Sequence, residues 1–359
     1  MSDRIKSSGE FVRDFVPPDY LIDTVLQRRF CYAITAKTGV GKTAVAMRIA
    51  AHVATGRALC GLRVKKGQVL YLAGENPTDV QMRWLGLTRE MGIEPNSVDV
   101  HFLPGVLQLS QVAQEVEQEI QRKQLQPVLV VVDTVMAYFE GDQANDNVQM
   151  GDHARMLRSL TLLPGGPCVL VLAHPTKSAA EDNLVPYGGG AFLNEIDGNI
   201  ALQKRESLIS ASVQGKFRGP EFSPLCFELK VVSDHPVLKD SRGISLPTII
   251  AQPLDAAARA ALDVASDGDE DKMLRLIDDH PKAPMRALAG MLNWKNHSKV
   301  DRVIKNLITQ KLIKREGRAL ILTQAGEKEL NSQDKPVSTL VPSLAPPPPF
   351  PVPMRPQIP

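Results

Sequence analysis

Residues 36–44, Ala36-Lys37-Thr38-Gly39-Val40-Gly41-Lys42-Thr43-Ala44, have the types and spacing of a loop that cradles phosphate. Gly39 and Gly41 let the backbone turn its N–H groups inward, and the helix that follows adds its positive end. Lys42 is placed to reach the β- and γ-phosphates of a nucleotide, and the Thr43 hydroxyl to ligate Mg²⁺. The pattern G-x-x-x-x-G-K-[ST] asks for glycine where this chain has Ala36, a side chain small enough for the turn. The competing reading is an ordinary glycine-rich turn before a helix. Three further residues end apolar runs: Glu75 after QVLYLAG, Asp133 after PVLVVV and His174 after CVLVLA. Glu75 reads as a general base that orients water or as an acid near a helix N-terminus. Asp133 suits a water-mediated hold on Mg²⁺. His174 reads as a sensor of the terminal phosphate or as a strand-end histidine satisfied by backbone. Asp142 and Asp146, in a polar loop, read as metal ligands or, more simply, as a solvated loop and a helix cap.

Parallel strands alternating with helices would bring these residues to one place, because ligands bind at the carboxyl ends of such strands. The apolar runs Phe30–Thr35, Gln68–Leu72, Val98–Phe102, Pro127–Val132 and Cys168–Ala173 predict strands. Helices are predicted from Thr43, over Thr78–Met91, over Ser110–Lys123 with Ser110 as its cap, and over Met150–Leu163. Val112, Val116 and Ile120 share one helical face. Tyr20, Leu21 and Ile22 read as core packing or, second to that, as the lining of a nucleotide-base pocket. Gly188-Gly189-Gly190 reads as a loop. Asn199–Leu202 and Leu208–Val213 read as antiparallel strands, with Leu225–Val232 closing the sheet. Lys216 and Arg218 fall on one side of an extended segment.

The chain has 359 residues, 43% apolar and 23% charged, with a net charge of +2, which suits one large domain and a small one. No apolar stretch approaches a membrane span and residues 1–11 lack a signal-peptide core, so a cytoplasmic location without membrane association is expected. Cys31, Cys60, Cys168 and Cys226 lack metal-ligand spacing and read as thiols in a reducing compartment.

After a short alanine-rich helix at 256–265, the periodicity predicts helices over Asp269–Asp279, Pro284–Leu292 and Ser298–Lys311, then a hairpin over 312–322. Three helices and a hairpin read as a winged helix-turn-helix. Residues 281–318 hold ten Lys/Arg against two acids, a balance of +8 that suits DNA. The expected DNA-facing residues are Lys295, Ser298, Lys299, Arg302 and Lys305, with Lys314, Arg315 and Arg318 on the wing. A winged helix used only for protein contacts is the alternative. Residues 331–359, with PPPPFPVP at 346–353, read as a disordered or polyproline tail, either a protein ligand or an inert end. The boundaries predicted are 1–16 flexible, 17–255 nucleotide domain, 256–268 linker, 269–330 winged helix and 331–359 tail.

AKTGVGKT at 36–43, YLAGEN at 71–76, VVVDT at 130–134, GDQANDN at 141–147 and LAHPTK at 172–177 occur in an order that resembles the RecA-like P-loop ATPases of the AAA family. The resemblance is closest to the RepA-type hexameric helicases allied to DnaB and covers residues 17–232. It implies an α/β fold with a mostly parallel central sheet, ATP and Mg²⁺ as cofactors, Glu75 as catalytic base and His174 as γ-phosphate sensor. It also implies Lys216 and Arg218 reaching into a neighbouring subunit's site, and therefore a homo-oligomeric, hexameric ring. The function expected is a DNA-binding ATPase motor, a replicative helicase of a plasmid, phage or mobile element. An ATP-switched DNA-binding regulator or loader, and further off a small-molecule kinase, are the alternatives.

Overall fold

Five apolar runs become the parallel centre of one sheet, each long enough to cross the core once: β3 (Cys31–Thr35), β4 (Gln68–Ala73), β5 (Val100–Pro104), β6 (Pro127–Asp133) and β7 (Cys168–Ala173). They precede β8 (Gly198–Arg205), β9 (Leu208–Phe217), β10 (Leu225–Val232) and β11 (Thr248–Leu254) and follow a small hairpin of β1 (Tyr20–Ile22) and β2 (Leu26–Gln27). The computed structural model describes residues 5–333 except 14, 16, 18, 107–108, 145, 177–178, 181–182, 206, 281–282, 284, 293–296 and 318. Among these, the side chains of 109, 111–115, 189, 256, 259–267, 286, 289, 297–299, 302 and 331–333 fall outside the description. The sheet order is β11-β10-β9-β8-β3-β7-β6-β4-β5. The six strands from β8 to β5 are parallel; β9, β10 and β11 are antiparallel. This mixed α/β, mostly parallel architecture is that of a RecA-like P-loop NTPase. The sequence pattern predicts a sheet that closes at β10; β11 pairs beyond it as the edge strand.

The parallel centre of the sheet is buried on both faces, which is why β3, β4, β6 and β7 are almost continuously apolar. Tyr32 and Ile34 pack on one side with α2 (Lys42–Thr55), where Ala44, Ala46 and Ala50 allow close approach. Cys31 and Ala33 pack on the other with α4 (Leu109–Arg122) and α5 (Asn147–Ser159). Leu21 and Ile22 are fully buried, as packing required. α2, α3 (Pro77–Met91) and β11 are tied together by Arg48. Its Nη2 lies 2.7 Å from Glu90 Oε2, and its Nε donates to the Ala251 carbonyl. Arg48 is buried. Glu90→Ala would strand a buried guanidinium, and we expect it to cost about 2–3 kcal/mol, read as a lower urea midpoint at unchanged m-value.

Several expectations change. The N-terminal stretch contains α1 (Ser8–Val12), where Ser7 and Glu10 form a reciprocal capping box. Ser110 lies inside α4 instead of capping it, and its N–H and hydroxyl both donate to Glu140. The triple-glycine stretch is not all loop: α6 (Gly189–Glu195) starts within it, anchored by the fully buried Phe192. A single helix, α7 (Ala256–Asp279), replaces the short helix, linker and second helix: it runs through Gly268 at a cost of roughly 1 kcal/mol, offset by the alanine-rich first turns and by the packing of Met273, Leu274 and Ile277.

The chain divides into two compact units, Met1–Ala260 and Ala261–Pro359. The second contains most of α7, then α8 (Met285–Met291), α9 (His297–Thr309), a hairpin of β12 (Ile313–Glu316) and β13 (Ala319–Leu322), and α10 (Gln324–Gln333). Its core joins Met273, Leu274 and Ile277 to Val300, Val303, Ile304 and Leu307. Glu270 accepts from Asn306 and Gln310, which fixes α7 to α9. α9 ends at Thr309, short of the predicted Lys311, where the backbone turns left-handed at φ 60°. Residues 331–333 belong to α10; the proline-rich run lies outside the described residues. No helix among the described residues is long and apolar enough to cross a membrane.

Candidate functional site

The phosphate loop leaves β3 at Thr35 and enters α2 at Lys42. Gly39 and Gly41 have φ of 79° and 107°, a left-handed backbone that L side chains resist. Gly41 is also tightly covered: a Cβ there would meet Ile209 Cδ1 at 3.0 Å. Ala36 is fully buried and keeps a negative φ, so the loop does not need the glycine of the usual pattern at this point. Its carbonyl accepts a 3.0 Å hydrogen bond from Lys42 Nζ. Thr35, one residue earlier, donates to Asn199 Oδ1 at 2.6 Å, and Asn199 Nδ2 donates to the Leu184 and Gln214 carbonyls. The root of the loop is thereby fixed to β8 and β9.

Sheet order brings Lys42, Thr43, Glu75, Asp133 and His174 to one edge. Asp133, at the end of β6, is 2% exposed; its Oδ2 accepts from Tyr71 Oη at 2.8 Å, while Oδ1 has no hydrogen-bond partner. Burial pushes its carboxyl above the usual range, opposed by the Tyr71 hydroxyl and by the Thr43 hydroxyl beside it. An orphaned carboxylate oxygen next to a threonine hydroxyl is a hard-oxygen donor set, which fits Mg²⁺ completed by water and phosphate oxygens. Lys42 Nζ stands 3.2 Å from His174 Nδ1. Burial lowers Lys42 to about 8, with Glu75 and Asp133 pulling it back. Burial, then Lys42, lowers His174. With Lys42 donating to Nδ1, the His174 proton sits on Nε2.

Glu75 is exposed at the head of the turn after β4. It does not cap α3; Asn76 does, accepting from the Asp79 N–H. The N–H groups of Gly74 and Glu75 both donate to the Asp133 carbonyl, at 2.8 and 3.2 Å. Gly74 cannot carry a side chain, since a Cβ would lie 2.6 Å from the Tyr138 ring. Beside the loop, Lys37, Thr38, Met136, His174, Thr176 and Tyr187 line a cavity of about 480 Å³. Asp146 is the cap of α5, accepting from the Val148 and Gln149 N–H groups, and Asp142 is exposed; no cluster of three metal-ligating side chains occurs among the described residues.

Lys216 and Arg218 are not brought to this edge. Gly198 pairs with Phe217 and with Tyr32, near the start of β3, so both cations lie on the opposite edge of their own sheet. In the second unit, Lys305, Lys314 and Arg315 are exposed, with Lys314 Nζ 2.8 Å from Glu316. Ser298, Lys299 and Arg302 lie on α9 with side chains outside the description; Lys295 and Arg318 lie outside the described residues. Tyr71 and Asn199 are site residues that sequence reasoning missed. The available signal was a polar group within the apolar run Val69–Ala73 for Tyr71 and at the head of Ile200–Leu202 for Asn199.

Residues 7–180 match the family model described as an AAA domain, AAA_25. This stretch is similar to the nucleotide-hydrolysing P-loop ATPases. The match spans the phosphate loop, Glu75, Asp133 and His174, and stops before Lys216, Arg218 and the second unit. No curated protein matches the chain.

Proposed function

We propose that this protein is a Mg²⁺-dependent, DNA-binding ATPase motor that works as a ring of identical subunits, in the manner of a RepA-type helicase. The observation that carries the nucleotide part is the buried Asp133, with one unpartnered oxygen, beside Thr43 and Lys42. Thr43 and Asp133 would hold Mg²⁺, which when bound neutralises charge on the β- and γ-phosphate oxygens. Lys42 supplies a buried positive charge to the terminal phosphate. Glu75, held by the Asp133 carbonyl, takes the proton of the attacking water. His174, neutral and hydrogen-bonded to Lys42, would sense whether the terminal phosphate is present. Arg218, too far from its own loop, would act on the nucleotide of a second copy.

The DNA part is supported by the +8 balance of residues 281–318, by exposed Lys305, Lys314 and Arg315, and by a helix–helix–helix–hairpin order suited to a winged helix. Arg302→Glu with Lys305→Glu should weaken DNA binding and reduce the slope of log affinity against log salt by about 2. An unchanged slope over a salt titration would assign the unit to protein contacts. ATPase stimulation by single-stranded DNA, with unwinding of a forked duplex, tests the motor. Stimulation by one duplex sequence without unwinding would favour the ATP-switched regulator.

A further inference from the structure

Asp197 is fully buried near the start of β3, on the edge of the sheet away from the phosphate loop. Its Oδ2 accepts from the Cys31 N–H at 2.9 Å and lies 3.0 Å from Arg158 Nη1. Arg218 Nη1 stands 3.4 Å from Oδ1, and that oxygen has no hydrogen-bond partner. The backbone is fastened on both sides. Asp197 N–H donates to the Cys31 carbonyl at 2.7 Å, and Arg218 N–H donates to the Asp197 carbonyl at 2.8 Å. Arg158 also donates to the Glu195 carbonyl at 2.8 Å, and Lys216 Nζ to the Asn194 carbonyl at 2.6 Å. The nearby acids Asp152 and Glu195 are engaged by Arg155.

One buried carboxylate therefore serves two guanidiniums. A buried ion cluster of this kind costs desolvation and by itself is a poor route to stability. It does hold two planar forks side by side, and forks of this type match phosphate oxygens. The side chains of Arg158 and Arg218 are 37% and 58% exposed, so both keep a face to solvent. The contact to Arg218 is loose enough to exchange for an anion, while Arg158 stays bonded. Four strand steps between Cys31 and Thr35, about 13 Å, separate the cluster from its own phosphate loop, so its guanidiniums face away from phosphates bound there.

We infer that Asp197 is a positioning residue that presents Arg158 together with Arg218 as a paired clamp for the phosphates of a nucleotide bound to a second copy of this chain. The inference rests on the trans role of Arg218 proposed above and adds Arg158 and Asp197 to it. Asp197→Asn retains an acceptor for the Cys31 N–H and removes the charge. It should lower kcat by about 10-fold or more with KM for ATP unchanged. Arg158→Ala should lower kcat by about 10²-fold.

Mixing assigns the side of the interface. Each of Arg218→Ala, Asp197→Asn and Arg158→Ala should regain ATPase activity when co-assembled with Lys42→Ala, and none should regain it when mixed with one another. A merely structural role would not sort in this way, and thermal melting identifies a variant that fails to fold. If Asp197→Asn does not fold, Arg158→Ala, altered at a partly exposed side chain, carries the same test. Recovery by Arg218→Ala but not by the folded Asp197→Asn or Arg158→Ala overturns the inference and leaves the trans role standing. No recovery by Arg218→Ala with Lys42→Ala removes both. Wild-type turnover of Arg158→Ala alone also overturns the paired clamp.

Discussion

Lys42→Ala should abolish turnover and lower nucleotide affinity below detection, while the apo protein keeps its fold. The side chain is buried, its ammonium is held by the Ala36 carbonyl and His174, and in the proposed function it is the cation offered to a terminal phosphate. Its depressed value of about 8 adds a pH signature. Below about 8 the amine carries its charge, and above it the charge is lost, well before the ordinary lysine value of 10.5. ATP affinity should therefore fall as pH rises from 7 to 9. Binding near pH 8–9 should take up a proton, since phosphate favours the charged form. Calorimetry in buffers of different ionisation enthalpy measures that proton. An affinity that stays flat from pH 7 to 9 would mean that burial does not depress Lys42.

Glu75→Gln should leave ATP binding near wild type and slow hydrolysis by roughly 10²- to 10⁴-fold, the usual contribution of one positioned base. The substitution keeps the shape and removes only the ability to accept a proton. The turn that delivers it is fixed by two hydrogen bonds to the Asp133 carbonyl and by the Gly74–Tyr138 contact. Single-turnover kinetics with ATP pre-bound separates this loss from any change in affinity. Wild-type hydrolysis by Glu75→Gln would transfer the base role elsewhere; Glu75→Asp with partial activity would strengthen it.

The two variants divide the site along its physical seams. In the proposed mechanism Lys42 acts on ground-state phosphate charge, so its loss should appear in binding. In the same proposal Glu75 acts on water in the transition state, so its loss should appear in the rate at saturation. Asp133 belongs to both: Tyr71 donates to one oxygen, and the other, without a hydrogen-bond partner, is the one proposed to face Mg²⁺.

The phosphate loop was legible in the chain because its partners are eight consecutive residues, and a backbone turning left-handed at Gly39 and Gly41 leaves a local signature. Glu75, Asp133 and His174 were legible for a different reason. Each ends an apolar strand, and parallel strands deliver their carboxyl ends to one edge whatever their order. What the sequence could not specify are pairings that depend on which strand lies beside which. β6 sits between β7 and β4, and that order, not chain order, sets Tyr71 against Asp133 across 62 residues. Asp197 meets Cys31 across 166 residues because β8 returns beside β3, and only then do Arg158 and Arg218 share its carboxylate. The same holds for Lys216 and Arg218: one-sidedness followed from alternation along an extended segment, but which edge of the sheet they occupy was decided by the antiparallel return of β9. Local periodicity and backbone chemistry are written into neighbouring residues. Buried polar contacts between distant strands arise only when the core has chosen its strand order.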